Sequence, residues 1–290
     1  MAEVRPAPPE MFEEVYPLLQ EFPQQRLSKE LWRRMLFDPP WPVEEPYRGY
    51  ALIDRGEVVG FCGTMFSRRE VRGERIRFCN LSSWIVKEAY RAQSLQLLRP
   101  ILALEDYVVV SPSPNAVALP IYVRLGFKVL EDTQWLIAPL ATPRQILSAL
   151  GTSLITIPGR IRERLDAPGR EIHDHLHGTV AAQALLLRGG RTCHVVATAS
   201  PWKGPWRLAH VRYASDWEMF WDQTPLLAAA FLGKLGTVGL RVDGRNAAGR
   251  RPAFAVCRRL TLPPLYRPGR SEITPFLVDG LYSEALFQPW

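Results

Sequence analysis

The residues best suited to chemistry lie between positions 115 and 127, in the pattern Asn115-x-x-Ala118-x-x-x-Tyr122-x-x-x-Gly126-Phe127. Read as a helix and its exit, the pattern has a physical logic. The Asn115 side chain can accept hydrogen bonds from the first free N–H groups. Ala118 leaves room for a ligand beside the helix, and Tyr122 lies one turn further along on the same face. Gly126 permits the left-handed turn that stops the helix. Other reactive side chains offer less. His173-Asp174-His175-Leu176-His177 places histidines at i and i+4, near the spacing of a helical zinc motif. Asp174 stands where that motif has glutamate and no third ligand is evident, so surface or capping histidines are expected and no metal. Cys62, Cys79, Cys193 and Cys257 are far apart. The first three sit in apolar stretches and read as small buried hydrophobes rather than nucleophiles.

Helices and strands must hold these residues in place. Val4–Ala7 reads as a strand, a helix opens at Pro8-Pro9-Glu10, and a second helix runs from Leu27 to Phe37 with Ser28 as its cap. Tyr50–Asp54 and Val58–Phe66, joined at Arg55-Gly56-Glu57, make a hairpin. Arg75–Val86 is a further strand, Tyr90–Leu104 a helix, Tyr107–Ser111 a strand, Asn115–Leu125 a helix and Phe127–Leu130 a strand. An antiparallel meander feeding a crossover to a parallel strand is a mixed sheet of the α/β (α+β) class.

This order, together with the Asn115 to Phe127 pattern, resembles the GNAT superfamily of acyl-CoA-dependent N-acyltransferases, whose last catalytic helix and following strand carry an Asn…Ala…Tyr…Gly-Phe signature. The resemblance implies a GNAT-like domain over residues 1–140. It also implies acetyl-CoA or another acyl-CoA as cosubstrate, and a small-molecule or peptide amine as acceptor. The family's pyrophosphate loop, Arg/Gln-x-x-Gly-x-Gly/Ala, aligns with Arg91-Ala92-Gln93-Ser94-Leu95-Gln96 after Tyr90. Arg91 matches, whereas Ser94 and Gln96 replace small residues where backbone N–H groups should approach phosphate. Asn115 and Ala118 would also contact the cofactor. Backbone N–H groups of Ile85 or Val86 would meet the thioester carbonyl, and Tyr122 would face the departing sulfur as the catalytic residue. With ordinary pKa values of about 10 for tyrosine and 8.5 for a thiol, full proton transfer is uphill by ~1.5 units, about 2 kcal/mol. A steadying hydrogen bond and complete transfer are both open. For the base, Glu70, Glu74, Glu88 and a water relay all remain open.

Residues 141–170, with Pro143, Pro158 and Pro168, read as a linker. Beyond it, strands at Thr192–Ala199 and Trp206–Tyr213, a long helix from Asp216 to about Leu235 and a strand at Thr237–Val242 repeat the order of the first half. A degenerate GNAT-like domain with a C-terminal extension is therefore expected over 171–290. Leu277, Leu281, Tyr282, Leu286 and Phe287 predict a short amphipathic helix near its end. The chain is 47% hydrophobic and 22% charged, with a net charge of +7. Arginines cluster at Arg68, Arg69, Arg72, Arg75 and Arg77, and again at Arg160, Arg162 and Arg164. Such a balance suits nucleic acid, a phosphate-rich cofactor, an acidic substrate or a plain solvated face. No apolar run reaches the ~20 residues that span a bilayer, and Glu3, Glu10, Glu13 and Glu14 stand where a signal peptide would be apolar. A cytoplasmic enzyme with neither a membrane nor a nucleic-acid partner is the leading expectation. The alternatives are an acyl-CoA-binding module without turnover and a tandem-fold aminoacyl- or peptidyltransferase that uses charged tRNA.

Overall fold

The strands of the first half are buried along most of their length, residues 58–67 without interruption, and helices pack over the sheet they form. The computed structural model describes residues 2–22, 27–71, 73–270 and 273–288, so Arg72 of the first arginine cluster and residues 289 and 290 lie outside the described residues. The chain divides into two units. One comprises Met1–Lys128, Pro264–Thr274 and Tyr282–Phe287; the other comprises Val129–Pro263, Pro275–Leu281 and Gln288–Trp290.

The first unit opens with β1 (Glu3–Pro6), α1 (Phe12–Gln20) and α2 (Lys29–Leu36). Ser28 caps α2 as expected, its side chain accepting from the Leu31 N–H. Strands β2 (Gly49–Asp54), β3 (Glu57–Val71) and β4 (Glu74–Val86) form the antiparallel meander. A 3₁₀ segment (Glu88–Leu98) and α3 (Arg99–Leu102) cross over to β5 (Tyr107–Ser111), which runs parallel to β4. Helix α4 (Ala118–Arg124) and β6 (Lys128–Val129) follow. The late strand Leu265–Arg267 pairs antiparallel with β5 and completes the sheet. Leu52, Val59, Cys62, Phe66, Cys79 and Val109 from the strands pack with Leu97, Ile101, Ala118 and Tyr122. Burial pushes the Cys62 thiol up to about 12, which removes it as a nucleophile at neutral pH.

The crossover differs from the single helix expected over Tyr90–Leu104, and Pro100 explains why. It has no N–H to give the Gln96 carbonyl, so the Arg99 N–H takes that acceptor in an i to i+3 bond. The chain winds as 3₁₀ until residue 98.

The second unit contains β7 (Thr133–Ile137), α5 (Pro143–Ala149), β8 (Ser153–Ile155), α6 (Pro158–Arg164), α7 (Ala167–His175) and β9 (Ala182–Arg188). Strands β10 (Arg191–Pro201) and β11 (Arg207–Ala214), helices α8 (Trp217–Asp222) and α9 (Thr224–Leu235), then β12 (Leu240–Asp243) and β13 (Ala255–Arg259) follow. The sheet order is β13-β7-β12-β11-β10-β9-β8. The series β8-α6-α7-β9-β10-β11-helix-β12 repeats β1-α1-α2-β2-β3-β4-helix-β5, with the same strand directions at each step. The architecture is one mixed α/β topology used twice.

The structure places the division between Lys128 and Val129 rather than at 140, and residues 141–170 are not a bare linker. They carry α5, β8 and α6 and the start of α7. Pro143, Pro158 and Pro168, which read as linker signals, each sit in the first turn of a helix, where a missing N–H costs nothing. The terminal segment also differs from expectation. Among the described residues two 3₁₀ turns form there, at Pro275–Leu277 and Glu284–Leu286, and Tyr282 between them interrupts helical winding by adopting the left-handed region at φ 56. Among the described residues no helix is long and apolar enough to cross a membrane.

Histidines inside the second unit make a pH-dependent contribution. His173 Nδ1 and His194 Nε2 lie 2.8 and 2.9 Å from Gln183 Oε1, while His194 Nδ1 is buried with no partner among the described residues. No group of three His, Cys, Asp or Glu among the described residues is arranged to hold a metal ion. Burial, reinforced by His173, pushes His194 down to about 4; burial and the nearby Arg212 do the same to His210. Both titrate near 6.5 when unfolded, so the unfolded chain binds more protons between 6.5 and 4 and stability falls as pH falls through that window. We expect a loss on the order of 1–2 kcal/mol per histidine by about pH 5. Melting curves at pH 7 and 5 check this, and His194→Gln should remove about half of the difference, leaving the share of His210.

Candidate active site

The site begins with an irregularity in β4. Phe61 pairs with Ile85 and Gly63 with Ser82, so Cys62 alone faces both Ser83 and Trp84. Ser83 takes φ 57, the left-handed conformation of a bulge. The parallel ladder to β5 ends at the Asn80–Val110 pair. Beyond it the two strands part. A cavity of about 350 Å³ opens there, walled by Leu81–Trp84, by Ser111, Ser113 and Pro114, and by Asn115, Ala118, Tyr122 and Glu284.

Helix α4 is fixed at both ends as its sequence predicts. Asn115 Oδ1 accepts from the N–H groups of Val117 at 3.0 Å and Ala118 at 2.7 Å. Gly126 takes φ 87. Its N–H donates to Val123 O and that of Phe127 to Tyr122 O, both at 3.1 Å, the paired bonds of a Schellman stop. The Tyr122 ring lies between Trp84 and Phe127, with centroids 5.7 and 5.1 Å away. Burial, aided by Cys62, holds its hydroxyl well above the ordinary tyrosine range, although a hydrogen bond with Ser111 opposes the shift. Giving a proton to a thiolate is then more uphill than the sequence values imply.

The same cavity is lined by a carboxylate that sequence reasoning missed. Glu284, only 9% exposed, accepts from Ser82 Oγ at Oε2 and from Ser113 Oγ at Oε1, joining β4 to the loop that follows β5. Its segment is anchored. Asn80 Nδ2 donates to Tyr282 O at 2.7 Å, and Trp41 packs on the rings of Tyr282 and Phe287 at 5.0 and 5.8 Å. The residue is 202 positions from Ser82, and no local pattern around it signals the contact.

The other expected residues fall elsewhere. Ile85 and Val86 pair with Phe61 and Gly60 past the bulge and do not line the cavity; Ser82, Ser83 and Trp84 do. Arg91 is exposed and lies 3.7 Å from Glu88. Ala92 and Leu95 are exposed, while Gln93, Ser94 and Gln96 are half-buried on the 3₁₀ segment, outside the cavity wall. Glu70 and Glu74 sit at the exposed end of the β3–β4 hairpin. The structure thus gathers Asn115, Ala118 and Tyr122, and leaves out Ile85, Val86 and Arg91 to Gln96.

The second unit repeats the bulge, with a glycine packed against it. Arg212 is the extra residue of β11, between the Val196–Tyr213 and Ala197–Val211 pairs. The ladder to β12 ends at His210–Arg241. Here Gly280 donates its N–H to Arg212 O at 2.9 Å, and a Cβ on Gly280 would meet Arg212 at 3.1 Å. His210 and Arg245 both bond Asp243, at 3.1 and 2.8 Å. Burial alone would raise the Asp243 pKa. The bond from His210 and the charges of Arg245 and Arg212 outweigh it and hold the carboxyl well below its usual range.

The mixed α/β topology, used twice, is shared with solved GCN5-related N-acetyltransferases. Neither a protein-family model nor a curated protein matches the sequence, but solved structures match the fold. The GCN5-related N-acetyltransferase from Anabaena variabilis ATCC 29413 is 11% identical, with 92% of this chain and 72% of that one covered and a TM-score of 0.58. That from Kribbella flavida is 14% identical, with coverage of 92% and 71% and a TM-score of 0.57. A Pyrococcus horikoshii protein of 13% identity matches over 97% of this chain and 95% of its own, at a TM-score of 0.54. The chain has the GNAT fold, carried in two halves.

Proposed function

We propose that the first unit transfers an acyl group from an acyl-CoA to an amine. The observation that supports this reading best is the cavity itself, which Tyr122 and the Glu284 carboxylate both line where β4 and β5 part. The fit to a thioester arm rests on the small Ala118, the parted strands, and the Trp84 Nε1–H, which is buried without a partner among the described residues. The fit to pyrophosphate is weaker at Ser94 and Gln96. Acyl-CoA supplies the activated carbonyl.

The chain's own residues do the rest. Glu284 accepts the proton that the attacking amine loses as its C–N bond forms. Tyr122 donates a hydrogen bond to the sulfur as the C–S bond breaks. Ser82 and Ser113 hold the carboxylate in place, and the bulge at Ser83-Trp84 turns backbone toward the cavity. Asn115, by capping α4, fixes where Ala118 and Tyr122 stand. Release of free thiol from acetyl-CoA and longer acyl-CoAs, measured over a panel of amines, tests the reading; acyl-CoA binding with no turnover across the panel would favour a non-catalytic module.

Tyr122→Phe keeps the ring between Trp84 and Phe127 but removes the donor. Turnover is expected to fall roughly tenfold to a hundredfold, the worth of one hydrogen bond to a charged group, while acyl-CoA binding by calorimetry changes little. An equal fall in both would make Tyr122 a packing residue.

A further inference from the structure

Helix α5 is mounted with its polar side inward. Gln145 Nε2 donates to Thr224 Oγ1 at 2.9 Å, and Ser148 Oγ accepts from Gln223 Nε2 at 2.6 Å. At 3.6 residues per turn, the opposite face carries Ile146, Leu147 and Leu150, which are 55%, 69% and 82% exposed. An amphipathic helix ordinarily buries its apolar stripe; this one presents it to solvent. Beside the stripe lies a cavity of about 390 Å³ lined by Arg144, Arg250 and Arg251, with Asp222 its one acid. Among the described residues none of these three guanidinium groups makes an ion pair. On the adjoining edge, Phe254 and Val256 are 50% and 59% exposed.

We infer that this face of the second unit docks on an anionic phospholipid surface. The stripe of α5 lies at the hydrocarbon boundary, and the three arginines receive lipid phosphates. Charge complementarity selects this occupant. A two-fold contact between copies would set the arginines of one chain against those of the other, in a chain of net charge +7. A soluble phosphate would satisfy the arginines and leave the leucines unexplained. The sequence expectation of no membrane partner came from the lack of a spanning segment, which says nothing against interfacial docking.

Vesicle flotation of the full chain tests this, with phosphatidylcholine alone and with about 30% phosphatidylserine added. Recovery with the anionic vesicles should be at least about tenfold higher and should fall with salt. Leu147→Asp with Leu150→Asp, and separately Arg250→Glu with Arg251→Glu, should each lower it about tenfold or more without changing Tm, because all four side chains are exposed. Equal recovery with both vesicle types, or indifference to both double variants, overturns the inference. So does competition by free glycerophosphate while the leucine variants bind as before, which would mark a soluble-anion site. A dimer in sedimentation that the leucine variants dissolve would assign the face to a second copy and overturn it as well.

Discussion

Replacing Glu284 by glutamine is expected to lower the turnover of thiol release by roughly 10²–10³-fold at neutral pH, the usual worth of a positioned general base. The substitution is nearly isosteric. Ser82 and Ser113 can rotate their hydroxyls to suit an amide, so the link from β4 to the Ser113 loop survives in shape while its proton acceptor is lost. Two readouts separate catalysis from packing: Tm should hold, and acyl-CoA affinity should change little while turnover falls. Turnover within about threefold of the parent would remove Glu284 from the proposed chemistry and leave it a strut between β4 and the Ser113 loop.

The second large effect concerns the frame that positions β3. A Cβ on Gly49 would lie 2.4 Å from Cys62 O and 3.0 Å from Gly63 Cα, and the residue takes φ 150. Both neighbours are backbone in the centre of the meander, so neither can yield without shifting the strand opposite the β4 bulge. Gly49→Ala should destabilise the first unit by roughly 3–5 kcal/mol, from steric overlap added to backbone strain. Gly56→Ala is the control. Gly56 has φ 81 but nothing within 4 Å of its would-be Cβ, so only the backbone cost of about 1 kcal/mol remains. Denaturant unfolding followed by tryptophan fluorescence compares the two; equal losses would show that the contact at Gly49 is relaxed at no cost.

These two residues mark the limit of what sequence shows. The Asn115 to Phe127 pattern was legible because each of its effects is local: a cap three residues from the N–H it serves, a tyrosine one turn from an alanine, a glycine at a helix stop. The β2–β3–β4 meander was legible for the same reason, from apolar runs on either side of Arg55-Gly56. The 3₁₀ crossover depends on a local cause as well, since Pro100 lies in plain view, but its effect on Gln96 is easily lost within an otherwise helical pattern.

Sequence by itself therefore determined the element order of the first half, the strand-strand-helix-strand core of the second and one wall of the candidate site. Tertiary structure alone decided the carboxylate that lines it, because Glu284 reaches Ser82 and Ser113 only after a chain segment some 200 residues distant has folded back. It also decided what lies at each bulge: at β4 a cavity that Glu284 helps to line, and at β11 Gly280 set against Arg212. Local preferences act over a few residues and can be read from them. Contacts between segments far apart in the chain depend on how the assembled sheets dispose their surfaces, and no short pattern encodes that.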